Sequence, residues 1–145
     1  MTEELTALAR RAVACHRWRW MRGMVAVRVE EPPFFSEGAD PSRLVGREYL
    51  VTDVTPVRVR CVGDSFHVGS SAYVPDLTDP ATLGCLLTLV REAWSDAGAS
   101  VWHDRRVGVW SWMADGCTHG VWRPSDEDGY ATEAEALVAA LEAAP

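Results

Sequence analysis

The stretch LTDPATLGCLLTLVREAW (residues 77–94) carries the strongest local signal in the chain and anchors the assignment of the fold. Asp79 is a favoured helix N-cap residue, and Pro80 follows at the first helical position, where its missing N–H costs nothing. Apolar side chains then recur at helical spacing and form one wide stripe: Leu83, Cys85, Leu86, Leu87, Leu89, Val90 and Trp94. The pattern predicts a deeply packed helix, with Gly98 ending it or closing the loop that follows.

Two further helices are predicted near the two ends of the sequence. Thr2 is placed to cap the first, whose apolar positions share one face: Leu5, Leu8, Ala9, Ala12 and Val13. Gly23 is a natural stop for the segment that follows this helix. Thr132 and Glu135 form a capping box for the last helix, with a buried stripe at Leu137, Ala140, Leu141 and Ala144.

The rest of the chain predicts short strands joined by turns. Alternating apolar residues or turn-bounded β-formers occur at 25–29, 46–51, 57–62, 65–68, 99–103, 106–113 and 119–123. Connections are predicted at 30–42, at Asp115–Gly116 and in the acidic stretch 125–130. Nothing divides the chain, so the sequence predicts a single domain over 1–145 of the α+β class, a short antiparallel β-sheet covered by three helices.

Composition limits the classes of function. The chain has 145 residues, 24% charged and 48% hydrophobic, which is typical of a folded domain rather than a disordered one. No apolar run reaches about 18 residues and the first residues do not form a signal peptide, so a cytosolic protein without a membrane partner is expected. The net charge of −7 disfavours binding to duplex nucleic acid.

Three blocks of the sequence resemble a recurrent group of small bacteriophage and prophage proteins. The blocks are WRWMRGM (18–24), LTDPATLGCLLTLVREAW (77–94) and ATEAEALVAALEAA (131–144), and they cover about 39 of the 145 residues. The layout also resembles the phage ABA-sandwich domain, which implies an α/β/α-type sandwich. A proline is usual in this group where the present chain has Arg22. The group has no known catalytic role, so the resemblance implies no functional residues.

The segment from residue 17 to residue 22 combines three arginines with two tryptophans and is the strongest candidate for a ligand-binding site in the sequence. Its guanidinium groups and indole rings suit a ligand with a planar base and a phosphate: Arg17, Trp18, Arg19, Trp20 and Arg22. The alternative is that a tryptophan fills the core while the arginine head groups stay solvated. The ligand interpretation predicts that Arg19→Ala and Trp20→Ala each weaken binding by about 1–3 kcal/mol.

Other arginines and tryptophans extend the candidate site. Arg58 and Arg60 share one face of a predicted strand, and two like charges there favour an anion, carboxylates or open water between them. Arg105 and Arg106 are predicted at a hairpin tip, where a second protomer could present them. Trp110 and Trp112 point the same way on another strand, either into the core or as an aromatic platform with Trp102 and Trp122.

The sequence contains no recognised motif of a metal site or a catalytic site. The histidines and cysteines lack the paired spacing of structural zinc sites, and no metal site is expected: Cys15, His16, Cys61, His67, His103, Cys117 and His119. The fourth cysteine, Cys85, is read like the others as a free thiol of a cytosolic chain. Asp104, Asp115 and Asp126 have no motif context as an acid pair, and neither a Walker loop nor a dinucleotide fingerprint is present. No cofactor and no catalytic residue are expected.

These observations favour a phage-encoded, non-enzymatic binding protein. The leading hypothesis is a sponge that sequesters a nucleotide-type immune signal in the cytoplasm of the infected host. Such a ligand is expected at an interface between subunits of a homo-oligomer. The alternative is an accessory or inhibitor module that acts by protein–protein interaction, and a small nucleotide hydrolase ranks third.

Overall fold

The computed structural model describes residues 1–30, 45–106, 108–114, 121–122 and 129–145. Within these ranges the helices are α1 (Glu3–Ala14), α2 (Pro80–Ala93) and α3 (Glu133–Glu142). The strands are β1 (Val25–Arg28), β2 (Glu48–Val54), β3 (Arg58–Cys61), β4 (Asp64–His67), β5 (Tyr73–Pro75), β6 (Ser100–Asp104), β7 (Val109–Ala114) and β8 (Val121–Trp122). The α+β class with antiparallel strands and three helices is confirmed. No helix in the described ranges is long and apolar enough to cross a membrane.

The larger sheet is five-stranded, in the order β4-β3-β2-β1-β5. Every pairing is antiparallel, with Val59 opposite Phe66 and Val27 opposite Val74 as examples of the register. The sheet is curled, so that side chains of its two edge strands meet in its interior. The ring of Phe66 on β4 stacks on that of Tyr73 on β5, with 4.1 Å between centroids.

Strand β5 is an element that the sequence patterns did not predict. It is only three residues long and ends in proline, so no alternation can be read from it. It nevertheless pairs with β1 along its whole length, all three of its residues are buried, and α1 packs against it. The strand therefore joins the sheet to the helices.

The helix boundaries follow their capping residues, as predicted. The side-chain oxygen of Thr2 accepts a hydrogen bond from the Leu5 N–H at the start of α1. Asp79 accepts from the Thr82 N–H at 2.7 Å, and the capping box of Thr132 with Glu135 is complete. Each cap satisfies N–H groups that have no partner inside the helix.

The remaining strands form a second sheet, in the order β6-β7-β8, instead of extending the first. Helix α3 packs against α1, α2 and the β6–β7 pair, so helices lie between this sheet and the curled one. The Trp94 Nε1–H donates to the Ala140 carbonyl at 2.8 Å, and the Trp94 ring contacts Trp112 at 5.5 Å. The strands thus divide between two sheets, whereas the sequence predicted a single short one.

Several sequence predictions lie outside the described residues. They are most of the loop at 30–42, the turn at Asp115–Gly116, the acidic stretch up to residue 128, and the side chains of Cys117, His119 and Trp122.

Candidate functional site

The segment between α1 and β1 places one of its tryptophans in the core. Trp20 is 2% exposed, and its ring meets the edges of Trp18 and Phe66 at centroid distances of 5.7 and 5.2 Å. A ring enclosed in this way has no free face on which a ligand base could stack. The burial of Trp20 agrees with the alternative that a tryptophan of this segment fills the core, here the interior of the curled sheet.

Trp18, Arg19 and Arg17, from the same segment, each contact a different part of the molecule. Trp18 is half-buried beside Trp20, and its indole N–H has no partner among the described residues. The Arg19 guanidinium pairs with Glu92 on α2 at 2.6 Å, while Arg17 donates to the carbonyl of Pro145. These two arginines flank a shallow cleft of about 110 Å³. Arg19 is thus held in an ion pair, and Arg17 is held by a hydrogen bond to a carbonyl. No ring lies between the two arginines on which a ligand base could stack.

Arg22, the remaining member, is exposed in the turn that leads into β1. The turn contains Gly23 with φ at +94°, a backbone conformation that favours glycine. The Arg22 carbonyl lies 3.9 Å from the Cys85 sulfur on α2, so the turn is held against that helix. Neither ion-pair partner nor aromatic ring accompanies the Arg22 side chain in the described part of the chain.

Strand β3 presents its two arginines on the outside of the curled sheet. Arg58 and Arg60 are exposed, while Val59 and Cys61 between and after them are buried, as the alternation predicted. Trp20 packs on Phe66, which is opposite the buried Val59, so the sheet separates these arginines from the tryptophans of segment 17–22. The structure therefore does not bring the two parts of the predicted site together.

The pairing of β3 with β4 adds two polar side chains to this surface. Ser65 lies opposite Arg60 and His67 lies opposite Arg58, and both are exposed. The Ser65 hydroxyl lies 3.5 Å from the Arg58 guanidinium. We call these four side chains, Arg58, Arg60, Ser65 and His67, the arginine face. Sequence reasoning missed Ser65 and His67 as members of this surface because cross-strand partners depend on the register of β3 with β4.

A carboxylate adjoins the arginine face without pairing with it. Asp53 on β2 is opposite Arg60 at a register irregularity, and its Oδ1 accepts from the Val54 N–H at 3.0 Å. Among the described residues the ion pairs join Arg10 to Glu30, Arg11 to Glu142 and Arg19 to Glu92. The guanidinium groups of Arg58 and Arg60 are thus free of carboxylate partners in the described ranges.

Two apolar side chains continue the same surface beyond Arg60. Leu50 and Val62 are 48% and 64% exposed, and the Val62 N–H donates to the Leu50 carbonyl at 3.0 Å across β2 and the end of β3. We call Leu50 and Val62 the apolar pair. Because alternate residues share a face, the outer surface along this strand runs Arg58, Arg60, Val62.

The second sheet holds the last predicted site residues. Arg105 and Arg106 are exposed in the turn between β6 and β7, where the Arg106 N–H donates to Asp104 at 2.8 Å. Trp110 packs against the core and contacts His103 at 5.4 Å. Its backbone also exchanges hydrogen bonds with Tyr130, so Trp110 belongs to the packing of this sheet. Trp112, which points the same way, is buried.

A polar chain crosses one end of the curled sheet's interior. The Tyr73 hydroxyl donates to Asp64 at 2.7 Å and accepts from the Arg28 guanidinium at 3.1 Å. Burial and the bond to Asp64 raise the pKa of Tyr73. Burial, with a smaller contribution from Asp64, also raises the pKa of the Cys61 thiol to about 11. Both groups stay neutral at ordinary pH, so this chain is suited to holding β4 against β5.

The described residues contain no group of three or more His, Cys, Asp or Glu side chains placed to hold a metal ion. Comparison of the chain with protein-family models, with curated proteins and with solved structures gives no match.

Proposed function

We propose that this protein is a non-enzymatic binding protein for a small, nucleotide-type anion, and that the arginine face holds the phosphate. The main support for this proposal comes from strand β3. Its residues Arg58 and Arg60 are exposed on one face, and their guanidinium groups lack carboxylate partners in the described ranges. Like charges side by side on a sheet repel each other, and a bound anion would relieve this repulsion. Guanidinium groups also offer paired N–H donors that match phosphate oxygens.

The same surface offers a place for the uncharged part of such a ligand. The apolar pair lies next to Arg60, and a nucleoside resting on it would remove exposed apolar area from water. This arrangement replaces the stacking on Trp20 that the sequence suggested. Arg17, Arg19, Arg22, Arg105, Arg106 and Trp110 then lie outside the proposed site.

We extend the proposal to a homo-oligomer, to a phage origin and to action in the cytoplasm of an infected host. A surface on the outside of a sheet covers only one side of a small ligand, and a second copy of the chain is one way to cover the other side. The resemblance of residues 18–24, 77–94 and 131–144 to small phage proteins supports the origin. Sequestering a nucleotide-type immune signal is the role that fits a binder without turnover.

The test is isothermal titration of the purified protein with ADP-ribose, mononucleotides and cyclic oligonucleotides. At least one of them is expected to bind, and Arg58→Ala with Arg60→Ala is expected to weaken binding at least tenfold, because charged hydrogen bonds contribute about 1.5–3 kcal/mol each. Arg105→Ala with Arg106→Ala is the matched control, since it also removes two adjacent exposed arginines. No binding across the panel, or equal losses in both double variants, would contradict the proposal.

A second candidate function is a protein-interaction module, and the exposed apolar side chains favour it. Val57 is 69% exposed, and the members of the apolar pair, Val62 and Leu50, are 64% and 48% exposed. Pull-down from host lysate with the wild type and with Leu50→Ser/Val62→Ser separates the two functions. A stoichiometric partner that is lost on changing the apolar pair, and kept on changing Arg58 and Arg60, would favour this module.

A further inference from the structure

We infer that two copies of this protein associate through strand β6, which joins their two three-stranded sheets into one continuous sheet. This inference rests on the homo-oligomer of the proposed function and specifies one of its interfaces, without using any property of the ligand. It follows from the hydrogen bonds of the second sheet and from the position of β6 at the edge of that sheet.

The partners of Trp110 show to which side the backbone groups of this sheet point. Both backbone polar groups of Trp110 are bonded to Tyr130, at 2.7 and 2.9 Å, so they point away from β6. In an antiparallel pair, only alternate residues exchange hydrogen bonds with the residue opposite. Trp110 lies opposite His103, so this pair exchanges none, and the same holds two residues along for Trp112 and Val101. The N–H and C=O groups of Val101 and His103 therefore point outward from the edge of the sheet.

We call Val101 and His103 the open edge. Outside the pairing of β6 with β7, the backbone of neither residue has a hydrogen-bond partner in the described ranges, and His103 is exposed. The open edge stops at Ala99, whose N–H donates to the Asp96 carbonyl and whose carbonyl accepts from the Arg91 guanidinium. A row of unpaired backbone groups of this kind is a template for pairing with another strand.

The open edge is complementary to a second copy of itself. Its two residues flank Trp102, the middle residue of β6. When two copies of β6 lie antiparallel about a two-fold axis at Trp102, Val101 of each copy lies opposite the partner's His103. Residues paired in this way exchange both hydrogen bonds, so every group of the open edge gains a partner. A shift of two residues in either direction leaves only one residue of each open edge paired with its counterpart.

The side chains at the centre and at the ends of β6 also suit this pairing. Because side chains alternate along a strand, the partly exposed Trp102 lies on the face of the sheet opposite to the buried Trp112. There it comes beside the partner's Trp102, and aromatic pairs across strands stabilise a sheet. At each end, Arg105 and Arg106 come next to the turn that holds the partner's Asp96. Opposite charges thus meet at the interface, although each chain carries a net charge of −7.

Sedimentation velocity over a range of protein concentrations tests the association, and two substitutions of His103 test the edge. We expect the wild type to shift from monomer to dimer as the concentration rises. His103→Pro removes one outward N–H from each copy, so it is expected to raise the dissociation constant of the dimer at least about tenfold. His103→Ala is the matched control, because it removes the same side chain but keeps the N–H, and a change below about threefold is expected. Proline is tolerated on an edge strand where the N–H faces solvent, and thermal unfolding checks that both variants fold.

Cysteine cross-linking gives a second measurement that does not depend on the proline variant. Trp102→Cys places two thiols opposite each other at the axis, where the Cα atoms are about 4.5 Å apart, within the range of a disulfide. Mild oxidation is expected to link this variant into a covalent dimer. Ser100→Cys is the control, because its counterpart lies at the far end of the partner strand, and it is expected to remain unlinked like the wild type.

The possible outcomes distinguish this inference from the function it rests on. A dimer that responds equally to His103→Pro and His103→Ala, or that cross-links through Ser100→Cys rather than Trp102→Cys, would overturn the interface through β6 and leave a homo-oligomer in place. A wild type that stays monomeric at every concentration would overturn the interface and the homo-oligomer together. Binding of a nucleotide-type anion is tested separately by the titration, so its failure is not confused with either result.

Discussion

The two faces of strand β3 show how differently one sheet can treat alternate residues. On the inner face, Val59 and Cys61 are buried with Trp20 and Phe66 in an aromatic interior. On the outer face, Arg58 and Arg60 are exposed without a covering helix or carboxylate partner in the described ranges. A side chain of a type suited to ligand binding is therefore not necessarily accessible to a ligand. The indole that looked most suited to a ligand stabilises the fold, and the arginines on a short strand remain available for binding.

The largest expected effect is on the inner face. Trp20→Ala should lower the free energy of unfolding by about 3–5 kcal/mol, because it removes a large buried ring and leaves a cavity beside Phe66. Urea denaturation followed by circular dichroism measures the change. Trp18→Ala is the comparison, and its smaller burial predicts a smaller loss. A stability change below about 1 kcal/mol for Trp20→Ala would contradict the placement of this ring in the core.

The polar chain inside the sheet should give the next largest effect. Tyr73→Phe removes the hydroxyl that joins Arg28 to Asp64, and the lost bonds should cost about 1–3 kcal/mol of stability. Tyr49→Phe is a matched control, since Tyr49 is also buried but its hydroxyl has no hydrogen-bond partner among the described residues. Equal effects of the two changes in denaturant titrations would mean that the chain from Arg28 to Asp64 does not stabilise the sheet.

Alkaline pH should weaken the inner face through Cys61. Its pKa is raised by burial from 9.0 to about 11, so the unfolded thiol ionises at a lower pH than the folded one. The resulting stability is complete below pH 9 and is lost as the pH rises to about 11, by about 1–2 kcal/mol. The chain has no lysine that would titrate in this range. Cys61→Ala should flatten this part of the stability profile, and an unchanged slope would contradict the assignment.

The smallest expected effect is on the outer face. Arg58→Ala with Arg60→Ala should change the free energy of unfolding by less than about 0.5 kcal/mol, because exposed side chains without ion pairs contribute little to stability. Denaturation under the conditions used for Trp20→Ala gives a direct comparison. A loss of more than about 1.5 kcal/mol would show that these arginines stabilise the fold. It would then contradict the assignment of their guanidinium groups to ligand binding.

The sequence predicted the features that depend on local pattern. The caps at Thr2, Asp79 and Thr132 place the helix starts correctly, and strict alternation places Arg58 and Arg60 on an exposed face. The sequence left open which tryptophan of segment 17–22 is buried, because the segment between α1 and β1 has neither a helical nor a strand period. The surroundings of Trp20 come from Phe66, 46 residues later in the sequence.

Long-range pairing accounts for the other differences. Strand β5 is too short to show a pattern of its own, yet its pairing with β1 closes the curled sheet against α1. Ser65 and His67 join the arginine face only through the register of β3 with β4. Such partners follow from tertiary packing, which local propensities and spacing do not encode.

We expect the ligand to bind to the arginine face and not to segment 17–22. Amide chemical shifts recorded by NMR test this during titration of the ¹⁵N-labelled protein with the compound that binds most tightly among ADP-ribose, mononucleotides and cyclic oligonucleotides. We predict that the largest shifts cluster at Arg58, Arg60, Ser65 and His67, with those of Arg17, Arg19 and Arg22 nearly constant. Shifts concentrated in segment 17–22, with β3 and β4 unaffected, would show that the arginine face is not the binding surface.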